Sequence, residues 1–254
     1  MKKLFTIIIF IFLILFFLSK KQDDVVFLPK NENYQKKQEN KKFNSLASYD
    51  LSISLMQKFP ITIKGQLFYE NNKFRLYASS FLGKEIDVGL NKNYLWYWSK
   101  RSKPKVLYYS SIKNLSKTRL KSALNPEWIM ISLNINTNIS TYKESLKLPQ
   151  GNLYLKNHDN SLANGMSVGT LVDKDTDVVK GNYLFSSNGK MIASSEILEN
   201  QIISGFIVPK KLHIIWYEEG IMMNWNLSKV EIDKTIQESV WSMPNISPSL
   251  DIGK

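Results

Sequence analysis

The 254-residue sequence predicts a mainly β fold, an incomplete antiparallel β-barrel with a short helical lid or insert. Three observations lead there. From residue 48 onward, apolar and polar residues alternate with the two-residue period of half-buried strands. Turn signals separate these runs so closely that no helix fits between them, which makes successive strands antiparallel neighbours. One stretch near residue 126 breaks the period with three- and four-residue spacings. About ten strands in one domain favour a sheet rolled into a whole or partial barrel, because rolling protects the edges.

The chain opens on Met1-Lys2-Lys3 and an uncharged run, Leu4 to Leu18 (LFTIIIFIFLILFFL). As a helix it reaches roughly 22 Å, short of a bilayer core of about 30 Å. The following FFLSKKQDD lacks the small residues read by a signal peptidase, which favours an uncleaved signal-anchor over a cleaved signal peptide for residues 1–19. Residues 20–45 are polar and charged and read as a linker. The folded domain is expected over 46–254.

Leu51, Ile53 and Leu55 alternate with Ser52 and Ser54, and Ile61, Ile63, Gly65 and Leu67 continue the pattern. Glu70-Asn71-Asn72-Lys73 marks a hairpin turn, with Phe74 to Ala78 returning. Strands follow at Ile86 to Val88, Tyr94 to Ser99 and Val106 to Ser110. Asn125 before Pro126 predicts a helix cap and first turn, with Trp128 and Ile131 on the apolar stripe. A second meander is expected from Tyr183 to Ser186, Met191 to Leu198, Gln201 to Val208, Lys211 to Tyr217 and Ile221 to Leu227.

The composition, 43% hydrophobic and 22% charged, is that of a globular protein. There is no cysteine, so no disulfide supports the core and no N-terminal cysteine can carry a lipid. The net charge is +12, of which residues 1–45 supply nine lysines against four acidic side chains.

Catalytic signals are weak. Gly165-Met166-Ser167-Val168-Gly169 matches G-x-S-x-G, and Asp177 and His213 follow in the order of a hydrolase triad. Neither flank resembles the strand and helix of a nucleophile elbow. Asp173-Lys174-Asp175-Thr176-Asp177 begins like a calcium loop, but Val178 and Leu184 occupy the positions of its glycine and glutamate. His158 and His213 are the two histidines, too few for a zinc site without cysteine. The chain is therefore expected to be no enzyme and to use no metal or cofactor.

The segment YLWYWSKRSKPKVLYY (94–109) mixes aromatic and basic residues as a nucleic-acid platform does. Strand alternation would place Tyr94, Trp96 and Trp98 on one face, Leu95 and Tyr97 on the other. Lys100, Arg101, Lys103 and Lys105 are confined to the turn, which favours apolar walls with a wet rim over nucleic-acid binding. Whether those walls line a cavity or fill a core stays open.

The order of features from Gly65 to Tyr109, beginning GQLFYENNKFRLYASSFLGKEIDVGL, resembles the first half of the lipoprotein-sorting proteins LolA and LolB. Ser80-Phe81-Leu82-Gly83-Lys84 is similar to the proline-leucine-glycine loop of the LolB branch. NPEWIMISL (125–133) resembles that branch's helix, and IVPKKLHIIWYEEGIMMNWNL (207–227) the closing strands. The likeness spans about Leu51 to Leu227 and leans to LolB.

It implies an incomplete barrel with a helical lid over a cavity for acyl chains, and movement of lipoproteins through a bacterial envelope. The implied cavity residues are Phe74, Leu76, Trp96, Trp98, Trp128, Ile131, Trp216 and Trp225. Phe81, Leu82 and Gly83 would form a membrane-inserting loop, with Leu82 at the position that engages the bilayer; inward packing of that loop is the alternative. The implied partners are an acylated lipoprotein or lipid, a membrane surface and a carrier or receptor protein. The location would be the cell envelope, facing the periplasm. Two departures stand out. The arginine-proline pair that holds the LolA lid is replaced by Glu70-Asn71-Asn72-Lys73, and the cysteine of the LolB lipoprotein is missing. An envelope interaction module with a filled barrel is the alternative function, and a hydrolase using Ser167 a further one.

Overall fold

A computed structural model describes residues 43–56, 61–117, 123–135, 143–148, 151–158, 166–173, 175–176 and 178–253. The apolar segment 4–18, the linker through residue 42, and Gly165, Lys174 and Asp177 lie outside these residues. So does the side chain of His158.

The strands are β1 (Ser45–Leu55), β2 (Ile61–Glu70), β3 (Lys73–Ser80), β4 (Gly83–Leu90), β5 (Tyr94–Ser99) and β6 (Leu107–Ser111). After a 3-10 turn (Ile112–Lys117) comes the helix α1 (Pro126–Ser132). Then follow β7 (Lys143–Leu148), β8 (Gly151–His158), β9 (Met166–Val172), β10 (Val179–Phe185), β11 (Met191–Ile203), β12 (Phe206–Trp216) and β13 (Ile221–Ile232). A 3-10 turn (Glu238–Trp241) and β14 (Ser249–Asp251) complete the described chain.

The 14 strands of the described residues form one sheet in the order β14-β6-β5-β4-β3-β2-β1-β13-β12-β11-β10-β9-β8-β7. Two meanders are joined at the centre by β1 and β13, with Leu46 opposite Ile232 and Ile53 opposite Trp225. Only the short β14, laid parallel on β6, departs from the antiparallel pattern. The sheet is open, with β7 and β14 at its edges.

The helix reveals the curl of the sheet. It packs against β4 on one side and β10 and β11 on the other, although six strands separate β4 from β10. In a flat sheet those strands would stand about 34 Å apart. A helix of seven residues is about 10 Å long. The sheet must therefore wrap around α1, and this gives the incomplete barrel its inner face.

Local chemistry fixes the turns. Asn71 and Asn72 both adopt positive φ (46° and 67°), the requirement of a tight type I′ hairpin. Asn125 caps α1 by accepting a bond from the backbone N–H of Glu127 at 2.8 Å, and Pro126 takes the first position, where no intrahelical donor is needed. At the other end, Asn182 donates from Nδ2 to the carbonyl of Ile131 (2.8 Å) while accepting from the Thr170 hydroxyl (2.8 Å). That chain of bonds ties the last turn of α1 to β9 and β10.

The division of strands differs from the expectation in three places. β7, β8, β9 and β14 had no counterpart. β11 runs unbroken through Glu199 and Asn200, and β12 through Pro209. Two register shifts near Ile197, Glu199 and Asn200 absorb the irregularity. The hairpin instead turns at Ser204-Gly205, both with positive φ.

Candidate functional site

The inner face is one continuous apolar surface. Leu46, Leu51, Ile53, Leu67, Phe74, Leu76, Val88, Leu212, Ile214, Trp216, Met223 and Trp225 are buried there with Trp128 and Ile129 of α1. Register explains the grouping, since residues opposite one another share a face: Leu67 with Leu76, Leu76 with Val88, Leu212 with Trp225. Trp128 meets Trp216 edge to face, with centroids 6.5 Å apart. Five of the anticipated residues, Phe74, Leu76, Trp128, Trp216 and Trp225, therefore come together, and Ile131 is half-buried against them.

Polar atoms punctuate this surface. The indole N–H groups of Trp128, Trp216 and Trp225 and the hydroxyls of Ser132 and Ser195 are buried without hydrogen-bond partners among the described residues. Each such group costs about 1–3 kcal/mol relative to a bonded one.

Trp96 and Trp98 correct the expected face. Val88 stands opposite Tyr97, whereas Asp87 stands opposite Trp98 and Gly89 opposite Trp96. Leu95 and Tyr97 therefore point inward, and the two tryptophans outward. The indole of Trp96 donates to Asp87 Oδ1 at 3.0 Å. Asp87, fully buried, also binds Arg75 and Lys84, each at 2.9 Å. Gly89 is open to this arrangement because a methyl group there would overlap the Trp96 ring. The C-terminal segment covers the outer face. Arg75 donates to the carbonyls of Val240 and Ser242, Asn91 to that of Trp241, and Lys73 lies 4.7 Å from the Trp241 ring centre. With Ala47, Phe68 and Ile236, Trp241 forms a second small core.

Phe81 and Leu82 are the two turn residues between β3 and β4, and they project. Phe81 is 95% exposed and Leu82 65%, which rules out inward packing of either side chain. Gly83 has φ of 99° and no neighbour within 4 Å of where a side chain would begin. The Ser80 hydroxyl accepts from the Leu82 N–H (3.0 Å) and donates to Glu85 (2.7 Å). Lys100, from the β5–β6 turn, donates to the Leu82 carbonyl (2.8 Å) and pairs with Glu85 (3.4 Å); Arg101 pairs with Glu85 at 3.7 Å. Burial raises the Glu85 carboxyl, but bonds from Ser80 and Lys100 and the charges of Lys100 and Arg101 outweigh it and hold the group below its ordinary value.

Ser167 lies inside β9, opposite Asn157 and Phe185, with no strand-to-helix turn to make it a nucleophile elbow. His213 bonds through Nδ1 to Asn224 Oδ1 (2.6 Å). Asp173 closes a local turn, accepting from the N–H groups of Asp175 and Thr176 and pairing with Lys180 at 2.6 Å.

No family model matches the sequence, and no curated protein matches it significantly. Solved structures do match. One is an outer membrane lipoprotein-sorting protein domain from Vibrio parahaemolyticus (TM-score 0.55, 9% identity, covering 83% of this chain and 94% of that one). Another is a LolA superfamily protein from Nitrosomonas europaea (TM-score 0.55, 11% identity, 84% and 97%). A third is a DUF1329 family protein from Desulfovibrio piger (TM-score 0.54, 11% identity, 79% and 90%). Nothing in the likeness favours the LolB branch over LolA. At these identities it is the architecture that is shared: this chain has the same fold as these structures.

Proposed function

We propose that this protein is a non-catalytic carrier or receptor for acylated lipoproteins or lipids in a bacterial cell envelope, facing the periplasm and tethered by its N-terminal apolar segment. The observation that carries the reading is the inner face, where one apolar surface runs beneath α1 from β4 to β11. Acyl chains would enter between α1 and the sheet, against Phe74, Leu76, Trp128, Ile131, Trp216 and Trp225. The chemistry is partition: each buried methylene is worth about 0.8 kcal/mol, and release needs a comparable apolar destination. The names of two structural neighbours, lipoprotein sorting and the LolA superfamily, support the same role.

The Phe81-Leu82-Gly83 loop would deliver the cargo by entering a bilayer. Two exposed apolar side chains on one projecting turn would each gain about 2 kcal/mol there. A carrier or receptor protein at the membrane is the further partner.

A second reading, an envelope interaction module with a filled interior, is favoured by one observation. Trp128, Trp216 and Trp225 are already fully packed by neighbouring side chains. Uptake of a fluorescent acyl probe and mass spectrometry of co-purified lipids separate the two. The carrier reading expects saturable uptake and a stoichiometric acylated species, whereas repeated absence of both leaves the module. Leu82→Glu should slow probe transfer to liposomes several-fold while far-UV circular dichroism is unchanged. An unaltered transfer rate removes the loop from the mechanism.

A further inference from the structure

The exposed apolar tip does not stand alone. Lys84, Lys100, Arg101, Lys103 and Lys105 lie at the same end of the sheet, because Ile86 pairs with Ser99 and so brings the β5–β6 turn beside the β3–β4 turn. Lys84, Arg101, Lys103 and Lys105 are exposed, and Lys100 partly so. Against these five cations stands Glu85, whose carboxylate is buried. Asp87 nearby is also buried and committed to Arg75, Lys84 and Trp96. These acidic groups hold Lys84, Lys100 and Arg101 in place yet present little negative charge to solvent. Glu85 is the clip: it takes the Ser80 hydroxyl from the apolar turn and Lys100 and Arg101 from the basic one.

We propose that the Phe81-Leu82 tip and the 100–105 basic turn form one composite surface that recognises a bilayer rich in anionic lipid headgroups. The proposal rests on the membrane-docking loop of the preceding reading and adds the lipid class. An acidic protein would satisfy the cations but not two bare apolar side chains on a projecting turn. A zwitterionic bilayer would accept the apolar pair but leave the cations uncompensated. An anionic headgroup layer over hydrocarbon matches both parts at their natural depths. Each cation near such a surface strengthens binding about fivefold, and the effect is screened by salt.

The cysteine-free chain allows a direct test. In the full chain, Ser79→Cys, exposed two residues before Phe81, places a single polarity-sensitive fluorophore at the tip. Vesicles of phosphatidylcholine alone are compared with vesicles of phosphatidylcholine plus phosphatidylglycerol. The expected result is a blue shift in the anionic vesicles only, reversed by high salt. Lys103→Gln with Lys105→Gln, both surface changes, should weaken the anionic response at least tenfold. Phe81→Ser with Leu82→Ser should abolish the shift while salt-sensitive association remains. Equal shifts in both vesicle types, or no effect of the lysine pair, overturns the proposal. A shift produced by polyglutamate and not by either vesicle assigns the surface to an acidic polypeptide and also overturns it. Acyl-probe uptake in the same preparations keeps the two readings apart. Lost lipid selectivity with intact uptake condemns this surface alone, and lost uptake with intact selectivity condemns the carrier interior alone.

Discussion

Glu85 shows how much one buried side chain can organise. Its carboxylate is held below the ordinary range by hydrogen bonds and neighbouring cations despite burial. A lowered folded value means its stabilisation is fully present above about pH 4.5 and is lost as pH falls through the lowered value. Glu85→Gln should therefore destabilise the protein by about 1.5–3 kcal/mol at neutral pH. The gap from wild type should narrow on acidification below about pH 4.5, as read from urea midpoints across pH. A gap independent of pH would show that packing dominates. At this scale the sequence was partly legible. The apolar pair Phe81-Leu82 and the grouping of basic residues could be read directly. The facing of Trp96 could not, because both faces of β5 are covered, and alternation then carries no sign for which is inside. The missed signal was the C-terminal tail, whose Ile236 and Trp241 needed an apolar surface outside the barrel.

Among elements, the short helix α1 is the most consequential. Its seven residues are too few to be stable alone, so its cap and its docking decide whether it forms. Asn125→Ala should cost about 1 kcal/mol by leaving the Glu127 N–H without its side-chain acceptor. A chemical denaturation curve measures that loss, and an unchanged midpoint would mean the cap is dispensable. Asn125-Pro126 announced this helix plainly. The hairpin at Asn71-Asn72 was equally clear, because positive φ at two adjacent residues demands a small set of side chains. Residues 143–172 were harder. Strands β7 and β8 carry Lys143, Glu144, Lys147 and Asn152 among their apolar residues, so their alternation is diluted. Asn200 and Pro209 misled in the opposite sense, reading as breaks where the hairpin bulges and continues.

For the whole molecule, the outer face near β3 to β5 depends on the strap that follows β13. Trp241→Ala removes a buried indole and the ring beneath Lys73. The expected loss is about 3 kcal/mol, with faster proteolysis beyond Asp233. Protection equal to wild type would show that the backbone bonds from Arg75 and Asn91 hold the strap unaided. The curl of the sheet was not visible in any local pattern, since it depends on α1 reaching β4 and β10 together.

The seam between β1 and β13 sets the order in which the fold can be completed. β1 emerges during synthesis long before β13, because every strand from β2 to β12 is made between them. Until then the N-terminal meander must wait with one edge of β1 unpaired and its apolar face uncovered. Such a chain folds slowly, because its central pairing is its most distant one in sequence. It also exposes a sticky strand edge throughout elongation, the circumstance in which a holding chaperone is most useful.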